Sequence, residues 1–317
     1  VDKDGVELGL IEITESIKSM ELRGAGLIAR STAEALRQQA QEYQGDDLAE
    51  LRRRLEEGRR VLICSRPTAI SLWNAVQATL RGTSKARETE ELRALVISNA
   101  DRFIERSSKA VETIGRIGSK RLKSGMTVLT HCNSKAALGV IKAAHADGKD
   151  ISVYATESRP WRQGLLTVRH LSAAQIPSTL IVDSAVRWIM KEIDIVLVGA
   201  DTICSNGALI NKIGTSQIAM AAEEVGVPFI VCAETYKFSP KTVMGELVEI
   251  EERDASEIVD SHQLPAGVKV RNPVFDSTPA EHIDSIVTEI GLIPPYAAYE
   301  VIVKELGQES IFEANEE

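Results

Sequence analysis

Apolar positions over the first ~120 residues recur at helical spacing, with almost no strand-like run. In ITESIKSMELRGAGLIARSTAEALRQQA, Ile13, Ile17 and Met20 form one stripe, and Ala29, Ala33 and Leu36 form another. The break between these two predicted helices is RGAG, residues 23–26. The next stretch, DDLAELRRRLEEGRRVLICSRPTAISLWNAV, predicts a charged amphipathic helix, a short apolar strand or turn, and another helix. ETEELRALVISNADRFIERSSKAVETIGRIGSKRL predicts one long helix or two joined end to end.

From about residue 124 the pattern changes. Short apolar runs, MTVLT (126–130), ISVYA (151–155), STLIV (178–182), DIVLVGA (194–200) and PFIVCA (228–233), alternate with helical stretches such as SKAALGVIKAAHADG and TSQIAMAAEEVG. Buried strands alternating with helices predict βαβ units and a parallel sheet. The expected architecture is therefore α/β: an N-terminal helical domain (1–122), then a Rossmann-like doubly wound parallel-sheet domain (123–317). No internal repeat or low-complexity linker separates them, and only the EANEE end reads as frayed.

In an open α/β sheet, ligands bind beyond the carboxyl ends of the strands. Each predicted strand here is followed by polar groups. They are His131 and Cys132; then Thr156, Glu157, Ser158 and Arg159; then Asp183 and Ser184. Asp201, Asn206, Asn211 and Lys212 come next, and finally Glu234 and Lys237. Five strands thus deliver polar residues to one rim, which predicts a site.

Composition narrows what that site takes. Hydrophobic residues at 44% and charged residues at 26% are ordinary for a globular chain. No run reaches the length of a membrane span, and the acidic start VDKDGVELGL lacks the pattern of a signal peptide, so the cytoplasm is expected. The net charge of −9 argues against nucleic acid as the main partner, because that binding rests on phosphate neutralisation. The four cysteines (Cys64, Cys132, Cys204, Cys232) form no CxxC pair, which argues against a disulfide scaffold or structural zinc. No metal or cofactor is expected.

Four stretches look like anion-binding parts. RGAG (Arg23, Gly24, Ala25, Gly26) offers backbone N–H groups and a cation between helices, though a plain turn reads the same way. SRPT places Arg66 before a helix expected to start at its proline. ESRPWRQG supplies Arg159 and Gln163, and NKIGT supplies Asn211 and Lys212. Together they suggest a ligand gripped between domains, with phosphate at one or both ends.

Two residues carry the candidate chemistry. Cys132 stands where a strand ends and a helix opens, with Lys135 three residues on; both features favour the thiolate, making it a base or a nucleophile. A buried inert thiol is the alternative, and a metal site with His131 is a poor third. Asp201 follows an apolar run, where desolvation favours the protonated acid, although a helix N-cap is the competing role.

RGAG, SRPTA, THCNSKAALG, TESRPWRQG, VGADTICSNGALINKIGT, AETYKF and NPVFDSTPAEHID resemble one family over residues 13 to about 305. It joins methylthioribose-1-phosphate isomerases, ribose-1,5-bisphosphate isomerases and the regulatory subunits of translation initiation factor 2B. RGAG, Ser134-Lys135 after the cysteine, and GADTICSNG are most similar to its archaeal ribose-bisphosphate branch. The resemblance implies an aldose–ketose isomerase acting on ribose 1,5-bisphosphate in AMP salvage, with Cys132 and Asp201 catalytic. It further implies substrate or phosphate binding at Arg23–Gly26, Arg66, Asn211, Lys212 and Lys237; Arg159 and Gln163 of the anion-binding stretch, and Ser134 and Lys135 beside the thiol, are the other expected phosphate-binding residues. AMP as an activator and assembly into dimers or hexamers are implied too. The alternatives are a methylthioribose-phosphate isomerase and a non-catalytic regulatory subunit. The latter branch generally lacks the Cys–Asp pair present here.

Overall fold

The computed structural model describes residues 9–244 and 248–307. The expectations for the first residues and for EANEE therefore fall outside the described residues. The chain divides into two compact units, Val1–Lys109 and Ala110–Glu317. Among the described residues, no helix is long and apolar enough to cross a membrane.

The first unit is helical. It contains α1 (Leu10–Lys18), α2 (Ala25–Glu42), α3 (Leu48–Ser65), α4 (Ile70–Leu80) and most of α5 (Thr89–Gly118), within which the division falls. Ile13, Ile17, Ile28, Leu36, Leu62, Leu72 and Val76 form one core cluster. Tyr43, Leu51, Leu55, Leu92 and Val96 form another. Asp47 caps α3 by accepting the Ala49 and Glu50 N–H groups at 2.8 and 3.2 Å.

Two local expectations are corrected here. VLIC forms no strand or turn: it is the end of α3, because Leu51, Leu55 and Leu62 keep one buried helical stripe through it. Pro67 does not open a helix either. Residues 66–69 make a turn closed by the Ala69 N–H donating to the Arg66 carbonyl (3.0 Å), and α4 begins only at Ile70. The long segment after residue 88 is one helix of 30 residues.

The second unit is a doubly wound sheet. Its strands are β1 (Thr127–Thr130), β2 (Ser152–Thr156), β3 (Ser178–Ile181), β4 (Ile195–Val198), β5 (Thr202–Ile203), β6 (Leu209–Lys212), β7 (Phe229–Cys232), β8 (Phe275–Thr278), β9 (Ser285–Thr288) and β10 (Gly291–Ile293). Its helices are α6 (Lys135–Ala146), α7 (Gly164–Ala173), α8 (Val186–Ile189), α9 (Thr215–Val225) and α10 (Ala298–Val301). The main sheet has the order β10-β9-β7-β4-β1-β2-β3, parallel except for β10. Side chains alternate between its two faces. Val128, Ile195 and Leu197 pack with Leu138 and Ile141 of α6, whereas Leu129, Val196 and Val198 pack with Ile218 and Ala222 of α9. Burial on both faces is why these strands read as continuous apolar runs.

A second, antiparallel sheet, β5-β6-β8, was not expected from the sequence, nor were β9 and β10. β5 has two residues, and β6 and β8 carry polar residues in LINK and FDST, so neither alternation nor an apolar run marks them.

Candidate active site

The strand order reverses between β1 and β4, which lie side by side with Leu129 opposite Val196. This is the point at which an open α/β sheet leaves a crevice at its carboxyl edge. Cys132 lies two residues beyond β1, and Asp201 three beyond β4. Gly199 permits the close approach of these two ends. A Cβ there would sit 2.4 Å from the Ser134 Oγ and 2.6 Å from its Cβ.

Cys132 is half-buried, in left-handed backbone with φ 65°. That conformation costs a non-glycine residue about 1 kcal/mol, so neighbours must hold it. Its N–H donates to the Ser158 Oγ (2.8 Å), and its carbonyl accepts from the Thr167 hydroxyl (2.7 Å). Thr167 also lies 3.1 Å from the Asn133 Oδ1.

The electrostatic expectation for this thiol is reversed. Burial pushes Cys132 up to about 11, and Asp201 and Asp183 push the same way, against Lys212 and the Asn133 N–H. The helix start does not lower it: α6 begins beyond Ser134, whose hydroxyl is engaged as the N-cap, accepting from the Ala137 N–H at 3.2 Å. The cation acting on the thiol is Lys212, while Lys135 is an exposed residue in the first turn of α6.

His131, beside the thiol, is buried and neutral, since burial lowers its affinity for a proton. Its Nε2 lies 2.9 Å from the Ile213 carbonyl, which requires the proton there. Nδ1 therefore accepts from the Thr156 hydroxyl at 2.5 Å. The Thr156 Oγ1 lies 3.2 Å from the Ser158 Oγ. The ring thus ties the end of β1 to the end of β2 and to the loop after β6.

Lys212 is buried at the end of β6, its ammonium 5.2 Å from the centre of the Phe275 ring. Burial lowers its pKa, while Cys132 and Asp201 oppose that effect. Cys132, Lys212 and Asp201 are thus one electrostatic group. Asp201 is half-buried and is anchored through its N–H to the Ile210 carbonyl at 3.0 Å, in a turn toward β5. It opens no helix, so the N-cap alternative does not apply. Asn211 is also buried and donates to the Thr215 hydroxyl (3.0 Å), which donates to the Lys212 carbonyl (2.6 Å).

The helix after β6 does not present an open anion site. Asp276 of β8 accepts from the Gly214 and Ser216 N–H groups at 2.7 and 3.1 Å, placing a carboxylate at the start of α9. Gly214 has φ 101°, a backbone that favours glycine, and a Cβ there would meet the His131 ring at 3.3 Å.

Among the other expected site residues, Arg159 donates to the Ile258 carbonyl (3.0 Å), and its N–H and that of Ser158 donate to the two Asp183 oxygens at 2.8 and 2.7 Å. Gln163 precedes α7 and keeps its Oε1 buried with no hydrogen-bond partner among the described residues. Lys237, after β7, is buried in an ion pair with Glu234 (2.8 Å). Within the helical unit, Gly24 (φ 91°) precedes Ala25 and Gly26 at the start of α2, which has no side-chain cap. Arg23 donates to the Met20 carbonyl, and Arg66 is half-buried in the turn after α3.

Two features near Lys212 were missed by sequence reasoning. Arg253 stacks on Trp161 at 4.7 Å and pairs with Glu251 at 2.8 Å, and both charges act on Lys212. The second is Asp276. Backbone pairing of Val274 with Ile213 and Glu251 brings these distant segments together. The acidic and basic residues of IEERD were the available signal.

Comparison with known proteins bears on this arrangement. The chain is 55% identical to the ribose 1,5-bisphosphate isomerase of Archaeoglobus fulgidus, covering 96% of both chains. It is 52% identical to the ribose 1,5-bisphosphate isomerase of Methanocaldococcus jannaschii, over 95% of this chain and 97% of that one. The solved structure of the translation initiation factor eIF-2B of Pyrococcus horikoshii OT3 superposes with a TM-score of 0.78 at 30% identity, covering 93% of this chain and 98% of that one. The pattern of the Initiation factor 2 subunit family matches residues 21–295. The relatives named as isomerases agree with an enzyme rather than a binding module, and the chain belongs to the Initiation factor 2 subunit family.

Proposed function

We propose that the chain converts α-D-ribose 1,5-bisphosphate to D-ribulose 1,5-bisphosphate, with Cys132 as the base and Asp201 as the acid. The observation that carries this reading is their placement at the ends of adjacent strands β1 and β4, with Lys212 acting on both. Identity above 50% to two archaeal isomerases named for this substrate supports it.

The phosphate on the anomeric oxygen prevents simple ring opening to a free aldehyde. In the proposed path, Asp201 gives its proton to the ring oxygen as the C1–O bond breaks, and the Cys132 thiolate removes the proton at C2. The electron pair forms a C1=C2 double bond. Asp201 then takes the proton of the C2 hydroxyl while Cys132 returns its proton to C1, leaving a ketone at C2 and both groups restored. A thiol pushed up to about 11 is protonated at neutral pH. The reaction needs Cys132 deprotonated and Asp201 protonated, and a protonated Asp201 no longer opposes the thiolate with its charge.

Lys212, Asn211, Arg159, Gln163 and Lys237 are the proposed substrate-binding residues of the α/β unit. In the helical unit they are Arg23, Gly24, Ala25, Gly26 and Arg66. Ser134 and Lys135 contribute to phosphate binding by the same proposal. Assembly into dimers or hexamers, activation by AMP and a cytoplasmic role in nucleotide salvage belong to it as well. Light scattering and assays with and without AMP test the first two.

The deciding experiment measures ketose formation from ribose 1,5-bisphosphate and, in parallel, from methylthioribose 1-phosphate. Wild type should turn over the bisphosphate, and Cys132→Ser and Asp201→Asn should lose turnover while still binding it. Undiminished turnover in Cys132→Ser refutes the base assignment, and preference for the methylthio sugar refutes the substrate.

A further inference from the structure

We infer that Ser158 and Asp183 are positioning residues that hold the Cys132 backbone, and with it the thiol, in the reactive orientation; this rests on Cys132 being the base. Cys132 and Ser158 both have left-handed backbone, φ 65° and 60°, at the ends of neighbouring strands β1 and β2. Neither is glycine, so each conformation needs support from outside itself. Ser158 supports Cys132 by accepting its N–H at 2.8 Å.

Asp183 in turn supports Ser158. Its two carboxylate oxygens accept the Ser158 and Arg159 N–H groups at 2.7 and 2.8 Å, from just beyond β3. Support therefore runs across three adjacent strand ends, from β3 to β2 to β1. The Ser158 hydroxyl is completely buried, so water cannot replace it as the acceptor. Its own proton is directed away from Cys132. His131 Nδ1 takes the Thr156 proton, which leaves the Thr156 oxygen, 3.2 Å away, to accept from Ser158. Among the described residues, charged or titratable groups face the thiol from several elements. Lys212 comes from β6, Asp201 from beyond β4, Asp183 from beyond β3, and neutral His131 adjoins it in the chain.

Removing the Ser158 hydroxyl should free Cys132 to leave its left-handed conformation. A displacement of about 1 Å at a reacting atom costs on the order of a hundredfold in rate. Removing the Asp183 charge has a second, separable effect, because that carboxylate opposes thiolate formation.

The test compares Ser158→Ala and Asp183→Asn in a Cys64→Ser background, since Cys64 is an exposed cysteine. Turnover of ribose 1,5-bisphosphate is measured together with iodoacetamide alkylation of the Cys132 peptide as a function of pH. Ser158→Ala should lose kcat by about a hundredfold with KM changed less than about threefold. Asp183→Asn should be slow in turnover yet alkylate with a lower pH midpoint than wild type. Mere loss of packing would not produce that combination. If Asp183→Asn fails to fold, the kcat–KM split in Ser158→Ala decides alone. Wild-type kcat in the folded variants, with Cys132→Ser inactive, overturns the inference and leaves the base assignment standing. Turnover by Cys132→Ser retires the base assignment instead. The alkylation profiles then judge the placement by themselves, and wild-type profiles in the folded variants overturn it.

Discussion

The two units handle charge in opposite ways. The helical unit sets ion pairs along helix surfaces at i,i+3 and i,i+4 spacing, as in Arg53–Glu50, Arg54–Glu50, Arg93–Glu90 and Lys109–Glu105, and buries Glu34 against Arg37 at 2.6 Å. Water solvates the surface ions whether or not they touch. The α/β unit places Lys212, Lys237 and Glu234 in its interior, all beyond or at the carboxyl ends of strands. Burial makes each of them costly unless a partner is present. The contrast teaches that charge in the first unit, Glu34 apart, shapes a surface, whereas charge at the strand ends of the second is retained at a specific place despite its cost.

The largest effect should come from breaking the Lys237–Glu234 pair. Burial disfavours the Glu234 charge, yet Lys237 and the Tyr236 hydroxyl, 3.0 Å away, hold its pKa below the usual carboxylate value. Glu234→Gln leaves a buried ammonium without its counter-charge and should cost about 3–5 kcal/mol in urea denaturation. A loss below about 1 kcal/mol would erase the distinction between the units.

Asp276 supplies the next effect. Burial pushes its carboxyl up to about 6, outweighing the Gly214 and Ser216 N–H donors, while its Oδ1 has no hydrogen-bond partner among the described residues. A pKa raised on folding means stability that is complete below the unfolded value, near 4, and is lost as pH rises through about 6. The rise, reduced for partial exposure, amounts to on the order of 2 kcal/mol. Asp276→Asn should therefore gain about that much on wild type between pH 4 and 7. Equal stability differences at both pH values would contradict the assignment.

How much of this was legible in the sequence depends on where the physical cause lies. Five of the six parallel strands were legible because burial on both faces leaves apolar runs, and Cys132 and Asp201 stood out as polar residues just beyond two of them. Lys135 drew attention through proximity in sequence. The thiol responds instead to Lys212, 80 residues away, because β6 belongs to a small antiparallel sheet with no apolar signature. Ser158 and Asp183 were visible as rim residues, but their relation to Cys132 requires left-handed backbone and the β1-β2-β3 adjacency. Pattern alone encodes neither.

Within the α/β unit, the thiol reads the surrounding charges directly. Lys212 holds Cys132 down from where burial would place it, and Asp201 holds it up. At pH 8 to 9, Lys212→Met should slow alkylation of Cys132 severalfold, and Asp201→Asn should speed it. Opposite signs are the essential result; the same sign in both variants would mean the three groups do not form one electrostatic unit.

The smallest effect belongs to Glu50, and its smallness is the sharpest test of the contrast. Two arginines, with Arg53 Nε at 2.9 Å and Arg54 Nε at 2.8 Å, hold its carboxyl down at about 2. Taken by pKa alone, Glu50 would rank beside the buried acids. A depressed folded pKa contributes stability above the unfolded value and loses it only as pH falls through about 2. Both arginines lie in solvent and Glu50 is partly exposed, however, so salt screens the attraction and ordering two long arginines costs entropy. Glu50→Gln at pH 7 should leave the denaturation midpoint unchanged within error, and raising the salt concentration should remove any residual difference. A loss comparable to that of Glu234→Gln would show that proximity of charges, rather than their burial, decides what this chain retains.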